Sequence, residues 1–469
     1  MPEHTPLDAP PRLWPLYVAG FAATYTFSIG NVAAPDIAAD LGATPGEISL
    51  VLGSFTSAFA TVLVLGGRLG DRFGRRRMFV LGLVGGILTA ILAAVAPTTP
   101  LLIAARGIQG IAAALVMPQI LATIQATSTG IRRARGIATF SATSGVGTAA
   151  GQVIGGSLIS ADIAGTGWRG AAASIAVICA LALAGARWLP ATRSDRRDAI
   201  DIGGAVIVGL ALASLVFGLS LGPGQHWSWW TLALLVGGVV GLAAFWRHQS
   251  VRERTGRPTL APPSVVRLTP VWAGLLMALT FFGGFGAFMY EYSVLTQRHL
   301  GLTPAASGFS LLLFVLGFVL ASASIGHIMR WWGALTMERG ACLQLLGLVL
   351  VAGTCFFASH TGSGAAWVWW VQAPVAFLGF AQGTQFAPLV STVMSEVPHS
   401  VAGLTGGFVS TAQQAALALG VATLGGLFVS LADVIDPVAA FGWVVAAQGV
   451  TAVVFWGLAR RLRHEAQQD

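Results

Sequence analysis

Residues 66–77 read GGRLGDRFGRRR, which sets four glycines, one aspartate and five arginines between two aliphatic runs. In a chain of 469 residues that is 9% charged and 55% hydrophobic, such crowding of charge needs a reason. A mean hydropathy of +0.76 is more apolar surface than a water-soluble globule can hide, so the chain is read as an integral membrane protein and the stretch as a point where it leaves the bilayer and returns. A transmembrane barrel needs short alternating strands, whereas the apolar blocks here run on for about twenty residues, as membrane helices do.

Windows able to cross roughly 30 Å of hydrocarbon fall at residues 14–34, 47–66, 78–96, 101–123, 137–159, 168–189, 202–222, 229–247, 271–295, 305–329, 341–359, 366–388, 405–431 and 438–459. All 26 basic residues are arginine, and with fourteen spans and both termini in the cytoplasm, 23 of them fall in cytoplasmic segments. Positive charge is retained on that side of short loops, so the count and the orientation support each other. Only Arg169 and Arg298 fall outside, and Arg106 lies within a span. The leader before the first span carries prolines and acids rather than a basic run, so the first span is expected to stay as a helix and not to be a cleaved signal.

The spans divide into a six-helix bundle over residues 1–190, an inserted two-helix hairpin over 191–247, a basic cytoplasmic linker over 248–270 and a second six-helix bundle over 271–469. The charged break RSDRRDAIDIGG (193–204) opens the hairpin. High pI alone would suit a nucleic-acid binder, but no solvated basic domain carries the charge, so no nucleic-acid partner is expected. Cys179, Cys342 and Cys355 lie in apolar blocks without metal spacing. No metal or other cofactor is expected, and without a lysine the chain cannot hold a Walker loop, so an ion gradient must drive any uphill work.

A positive-inside loop would explain the five arginines of GGRLGDRFGRRR but not its acid or its glycines. Gly67, Gly70 and Gly74 permit sharp turning and close helix approach. Asp71 needs a partner such as Arg72, Arg75 or Arg133. The segment GRLGDRFGRR (67–76) resembles the loop signature between spans two and three of the major facilitator superfamily. Two further stretches extend the resemblance over the whole chain, RGIQGIAAA (106–114) in span four and GTAAGQVIGG (147–156) in span five, both similar to patterns of the fourteen-span drug:proton antiporters.

The resemblance implies an all-α major facilitator fold, a multi-pass bacterial cell membrane location, and proton-coupled export of a small hydrophobic drug, antibiotic or toxic metabolite by a monomer. A facilitator or importer, or a non-transporting receptor on the same scaffold, would be the alternatives. It further implies a conformational latch of Gly67, Asp71, Arg72, Gly74, Arg75 and Arg76, with Asp71 engaging Arg133 or Arg135 and the start of span thirteen near Gly406 and Gly407. Gly147, Gly151, Gly155 and Gly156 would be a helix-packing signature in which Gln152 replaces the family's proline, and Thr26 replaces an acid of span one. The second-half copy of the loop, GHIMRWWG (326–333), has arginine in the acid's place.

Charges within a span cost on the order of 2.5 to 3.5 kcal/mol and so mark candidate sites. Arg106, Asp36 and Glu291 are the candidates, with Glu291, flanked by the cavity candidates Tyr290 and Tyr292, expected in the outer part of span nine to bind a proton or a cationic substrate and to pair with Arg106. The other reading of Glu291 is an interfacial acid, with Tyr290 and Tyr292 as part of an aromatic belt. Asn31, Gln109, Gln382 and Gln385 are candidate cavity groups as a set, while for any single one glue between helices is the default reading.

Overall fold

Helices build the chain throughout: a computed structural model describes residues 12–192, 201–362, 364–395 and 402–465 and places no strand among them. In chain order they are α1 (Trp14–Leu41), α2 (Pro45–Phe73), α3 (Arg75–Ala94), α4 (Thr99–Thr127), α5 (Gly130–Ala161), α6 (Trp168–Gly185), α7 (Ile202–Leu221), α8 (Trp229–Arg254) and α9 (Pro263–Val266). Then follow α10 (Thr269–Val294), α11 (Pro304–Ser310), α12 (Leu312–Trp332), α13 (Thr336–Thr361), α14 (Gly364–Trp370), α15 (Gln372–Ser395), α16 (Ala402–Gly420), α17 (Gly426–Ala432) and α18 (Pro437–Glu465).

Lipid offers no hydrogen bonds to a bare backbone, so helices that satisfy their own peptide groups are required. Ten helical stretches among the described residues are long and apolar enough to cross a membrane. Leu88, Val95, Val177, Leu210, Val236 and Val349 stand exposed on their outer faces, where lipid tails replace water. Local signals set the ends. Thr44 and Glu47 form a reciprocal capping box at α2, Asp201 accepts from the Gly204 N–H at 2.9 Å to cap α7, and Gly42 closes α1 at φ 61°.

The two halves repeat one packing scheme. In the first, α1 lies on α5, α2 on α4, and α3 on α6; in the second, α10 lies on α16, α12 on α15, and α13 on α18. The halves meet where α2 runs along α16 and where α5 meets α11. At the end remote from the arginine-rich loops they are sealed. Gln297 Nε2 donates to the Val32 carbonyl at 3.0 Å and the Ala305 N–H donates to Ser160 Oγ at 2.9 Å. At the arginine-rich end α5 instead leaves Arg132, Arg133 and Arg135 exposed.

Two sequence boundaries change. The opening stretch is not a loop: α2 continues through Phe73, so Asp71 sits in its last turn, and the break is Gly74 alone, at φ 101°. A side chain rarely adopts that φ, which is why a glycine stands there. Helix α8 runs to Arg254, seven residues into the expected linker, because 248–254 continue its hydrogen-bonding pattern. The charged break lies largely outside the described residues, which resume at Asp201.

Candidate functional site

Glu291 lies on α10 with no exposed surface. Its Oε2 accepts from Gln448 Nε2 of α18 at 3.0 Å, and its Oε1 has no partner. Tyr290 and Tyr292 are buried with it. A Cβ on Gly425 would come within 2.7 Å of the Tyr290 ring, and Tyr292 donates to Ser310 Oγ at 2.9 Å. The belt reading is therefore wrong for these residues: all three belong to the interior of the second half.

Arg106 is also buried, on α4, held by Gln109 Oε1 at 2.7 Å and by the carbonyls of Val51 at 3.4 Å and Thr26 at 3.5 Å, with the Phe55 ring centroid 4.6 Å away. The expected pairing of Arg106 with Glu291 is absent among the described residues. Helix geometry gives the reason. Met289, two residues before Glu291, meets Gln152 of α5 at 3.9 Å. Two residues at 3.6 per turn carry the side chain about 200° around the helix, so Glu291 points to α18 and away from the first half. Both charges nevertheless stand at one level. From helix ends and a rise of 1.5 Å per residue, Arg106, Gln109, Asn31, Gln152, Glu291 and Gln448 lie roughly 10–16 Å from the sealed end.

The other polar candidates separate. Asn31 is buried, with Nδ2 on the Phe27 carbonyl at 3.1 Å and Oδ1 unpartnered. Asp36 is half-buried with Oδ2 enclosed and unpartnered. Gln382 is buried with Oε1 unpartnered. Gln385 turns into its own half, donating to Gln344 Oε1 at 2.8 Å and to the Gly340 carbonyl at 3.2 Å, and so serves as glue between α15 and α13.

The latch residues adopt a different arrangement from the one expected. Asp71 pairs with Arg75 at 3.0 Å, one turn on, and Arg75 Nη1 donates to the Ala122 carbonyl of α4 at 3.0 Å. Arg133 does not reach Asp71: it donates to the Ser128 and Gln125 carbonyls at 3.0 and 3.3 Å, at the C-terminal end of α4. Helix dipoles favour a cation there. Gly70 admits Gln119, whose Oε1 would stand 2.0 Å from a Cβ, whereas Gly67 has ordinary room. Arg72 lies over Phe73, and Arg76 is half-buried at the start of α3. A Cβ on Gly407 would touch Val64 at 3.4 Å, so α16 does run against α2; the Gly406 contact falls outside the described side chains.

The span-five signature has two faces. Cβ atoms on Gly147, Gly151 and Gly155 would meet α1 at 2.3 Å (Thr24), 2.6 Å (Ser28) and 2.6 Å (Ile29). A Cβ on Gly156 would instead meet the Pro304 carbonyl of the second half at 2.4 Å, and one on Gly308 the Gln152 carbonyl at 2.2 Å. Close helix packing was legible in the spacing, and with Gln152 in place of proline α5 stays unbroken.

Sequence reading missed a polar network at the arginine-rich end. Buried Asp201 accepts from Gln249 Nε2 at 2.7 Å, lies 3.1 Å from His248 Nε2 and 3.5 Å from Arg252 Nε. Gln249 Oε1 accepts the N–H groups of Leu260 and Ala261 at 2.8 and 3.0 Å, and Arg68 of α2 donates to the neighbouring Thr259 carbonyl at 2.6 Å. An acid at the N-cap position, Asp201 in the run DIGG (201–204) at the start of an apolar block, was the available signal. Burial alone would push the Asp201 carboxyl up, but the hydrogen bonds from Gly204, Gln249 and His248 and the Arg252 guanidinium hold it below the ordinary value. The stability it contributes is complete above the ordinary carboxylate value of about 3.9 and is lost as pH falls through the lower native one. Wild type should lose more thermal stability between pH 6 and pH 3 than Asp201→Asn; parallel melting curves would contradict this. Arg463 and buried Glu338 make a second unforeseen pair, between α18 and α13.

Comparison with known proteins matches the geometry. The family model described as Major Facilitator Superfamily matches residues 16–206 and 202–421. The chain is 31% identical to the probable actinorhodin transporter of Streptomyces coelicolor over 409 residues, 86% of this chain and 70% of that protein. It is 30% identical to a puromycin resistance protein of Streptomyces alboniger, over 88% and 81% of the two chains, and 28% identical to the tetracenomycin C resistance and export protein of Streptomyces glaucescens, over 91% and 78%. A crystal structure of a POT family transporter in complex with 5-aminolevulinic acid superposes with a TM-score of 0.69 at 15% identity, covering 96% of this chain and 97% of that one, and so shares its fold. On these matches, the repeated six-helix packing and the signature stretches, the chain belongs to the Major Facilitator Superfamily.

Proposed function

We propose that the chain exports small, largely apolar compounds from a bacterial cytoplasm in exchange for protons, by alternating access between its two halves. The relatives named for antibiotic transport and resistance support the cargo class. The crossings number fourteen on this reading: the 58-residue stretch Pro304–Thr361 folds at Gly333 into two, and α1, α5 and α15 join the ten apolar stretches. Helices α7 and α8 form the inserted hairpin, and the arginine-rich end with both termini is cytoplasmic. The protein works as a monomer, with lipid around it and no cofactor. The sealed end then faces outward, so the conformer described opens to the cytoplasm.

Glu291 carries the proton assignment. A carboxylate enclosed in a membrane helix bundle with one neutral partner and one bare oxygen is costly, and a bound proton removes that cost. With the purified chain in vesicles of acidic interior, tetracenomycin C should accumulate against its gradient, and a protonophore should abolish this. Downhill equilibration indifferent to the pH gradient would overturn the exporter reading.

Asp71 belongs to the other conformer on this reading. Here it is 43% exposed and bound only within its own turn, where surface pairs contribute about 0–1 kcal/mol. Asp71→Asn should therefore leave thermal stability nearly unchanged yet raise the population of the outward-sealed conformer several-fold, read from the distance between spin labels at positions 160 and 305. An unchanged distance distribution would remove the latch.

A further inference from the structure

The buried guanidinium of Arg106 has no counter-charge. None of the ion pairs among the described residues involves it. Its neighbours are neutral, and two of its three hydrogen bonds, at 3.4 and 3.5 Å, are at the limit of the interaction and cost little to exchange. Beside it, Gln109 is only 3% exposed, and its Nε2 donor has no acceptor. A cavity of about 30 Å³, room for about one water and lined mainly by apolar residues of α1, α3, α4 and α6, reaches Gln109 and Thr26. Each Arg106 nitrogen already meets a neutral oxygen, so the site lacks a negative charge for the guanidinium and an acceptor for the Gln109 donor, and an anion supplies both.

Apolar surroundings restrict what carries that anion. Phe27, next to Thr26, packs against the first-half cluster of Phe55, Phe59 and Leu63 and also against the second-half cluster of Phe281 and Phe282. The Phe282 ring in turn meets Phe386 edge-on at 5.8 Å. An aromatic wall spanning both halves thus begins within one residue of the cation site.

We propose that Arg106 and Gln109 form the anion subsite for the exported compound, and that the compound is an aromatic organic acid, a carboxylate or phenolate whose rings lie along Phe27. This rests on the export reading and names its substrate class. A carboxylate would take the Arg106 Nη2 and Nε donors and the free Gln109 donor, neutralising the buried charge as the ligand enters.

Equilibrium dialysis of the full-length protein in detergent, at fixed pH and without any gradient, tests this with 2-naphthoate, neutral 2-naphthamide and chloride as probes. Naphthoate should bind and naphthamide should bind at least tenfold more weakly. Arg106→Gln should weaken naphthoate by roughly 10- to 100-fold, with partial recovery in Arg106→Lys. Thr26→Asp, which keeps the arginine but supplies an internal carboxylate beside it, should weaken naphthoate equally and leave naphthamide unchanged; gel filtration reports whether each variant is folded. Failure of naphthoate to bind, equal binding of the amide, retention of naphthoate by Arg106→Gln, or its full displacement by equimolar chloride would overturn the subsite. Those outcomes are separable from failure of the export reading, which is measured by transport under a pH gradient and leaves equilibrium binding untouched.

Discussion

Glu291→Gln should abolish gradient-driven accumulation while leaving the protein folded and able to exchange its cargo downhill. The substitution keeps shape and volume. The glutamine carbonyl can still accept from Gln448, as Glu291 Oε2 does at 3.0 Å, so the contact between α10 and α18 persists. What disappears is a group that takes and releases a proton. On the proposed reading, an enclosed carboxyl exchanges its proton only when a conformational change brings water or a cation to it, which would tie that exchange to the alternation of the two halves. Glutamine cannot make that exchange. Vesicles under an imposed pH gradient provide the measurement: intact accumulation by Glu291→Gln would show that the coupling proton binds elsewhere, with half-buried Asp36 the next candidate.

Gly156→Ala and Gly151→Ala should have opposite kinds of effect although they stand five residues apart on α5. A methyl at 156 would lie 2.4 Å from the Pro304 carbonyl, backbone of the other half, and the clash is relieved when the sealed end opens. Overpacking of this sort costs about 1–3 kcal/mol, so the ratio of outward-sealed to open conformer should fall by roughly 5- to 150-fold, seen as a lengthened distance between labels at positions 160 and 305. A methyl at 151 would lie 2.6 Å from Ser28 Cβ and 2.8 Å from the Tyr25 carbonyl, inside the first half. Neither conformer relieves that contact, so thermal stability should drop by a similar amount without a change in the label distances. If both variants shifted the distances alike, the division of the signature into a packing face and a sealing face would be wrong.

Much of the architecture is legible in one dimension. Continuous apolar blocks, their lengths and the absence of alternation require membrane helices, and the spacing Gly147, Gly151, Gly155 marks one helical face that must lie against a neighbour. Gly74 announces its own turn. The end of α2 is less legible, since polar residues at the edge of a membrane continue a helix as readily as they leave it, and the sequence alone places Asp71 in a loop, not in the last turn of α2. Arg169, an exception to the charge rule, also has a tertiary cause: it pairs with Asp40, tying α6 to α1.

Hydropathy, arginine placement and glycine spacing are properties of the chain in order, and by themselves they determined that this protein is a helical membrane bundle with the signatures of a known family. Helix rotation and neighbour choice are not written in order along the chain. Only the packed bundle decided that Glu291 faces Gln448 and not Arg106, that Asp71 holds Arg75 in this conformer, and that Gly156 closes on Pro304 while Gly155 rests on α1. The physical reason is the same in each case: one residue of phase turns a side chain through about 100°, and the face it then meets is fixed by the summed contacts of the whole bundle.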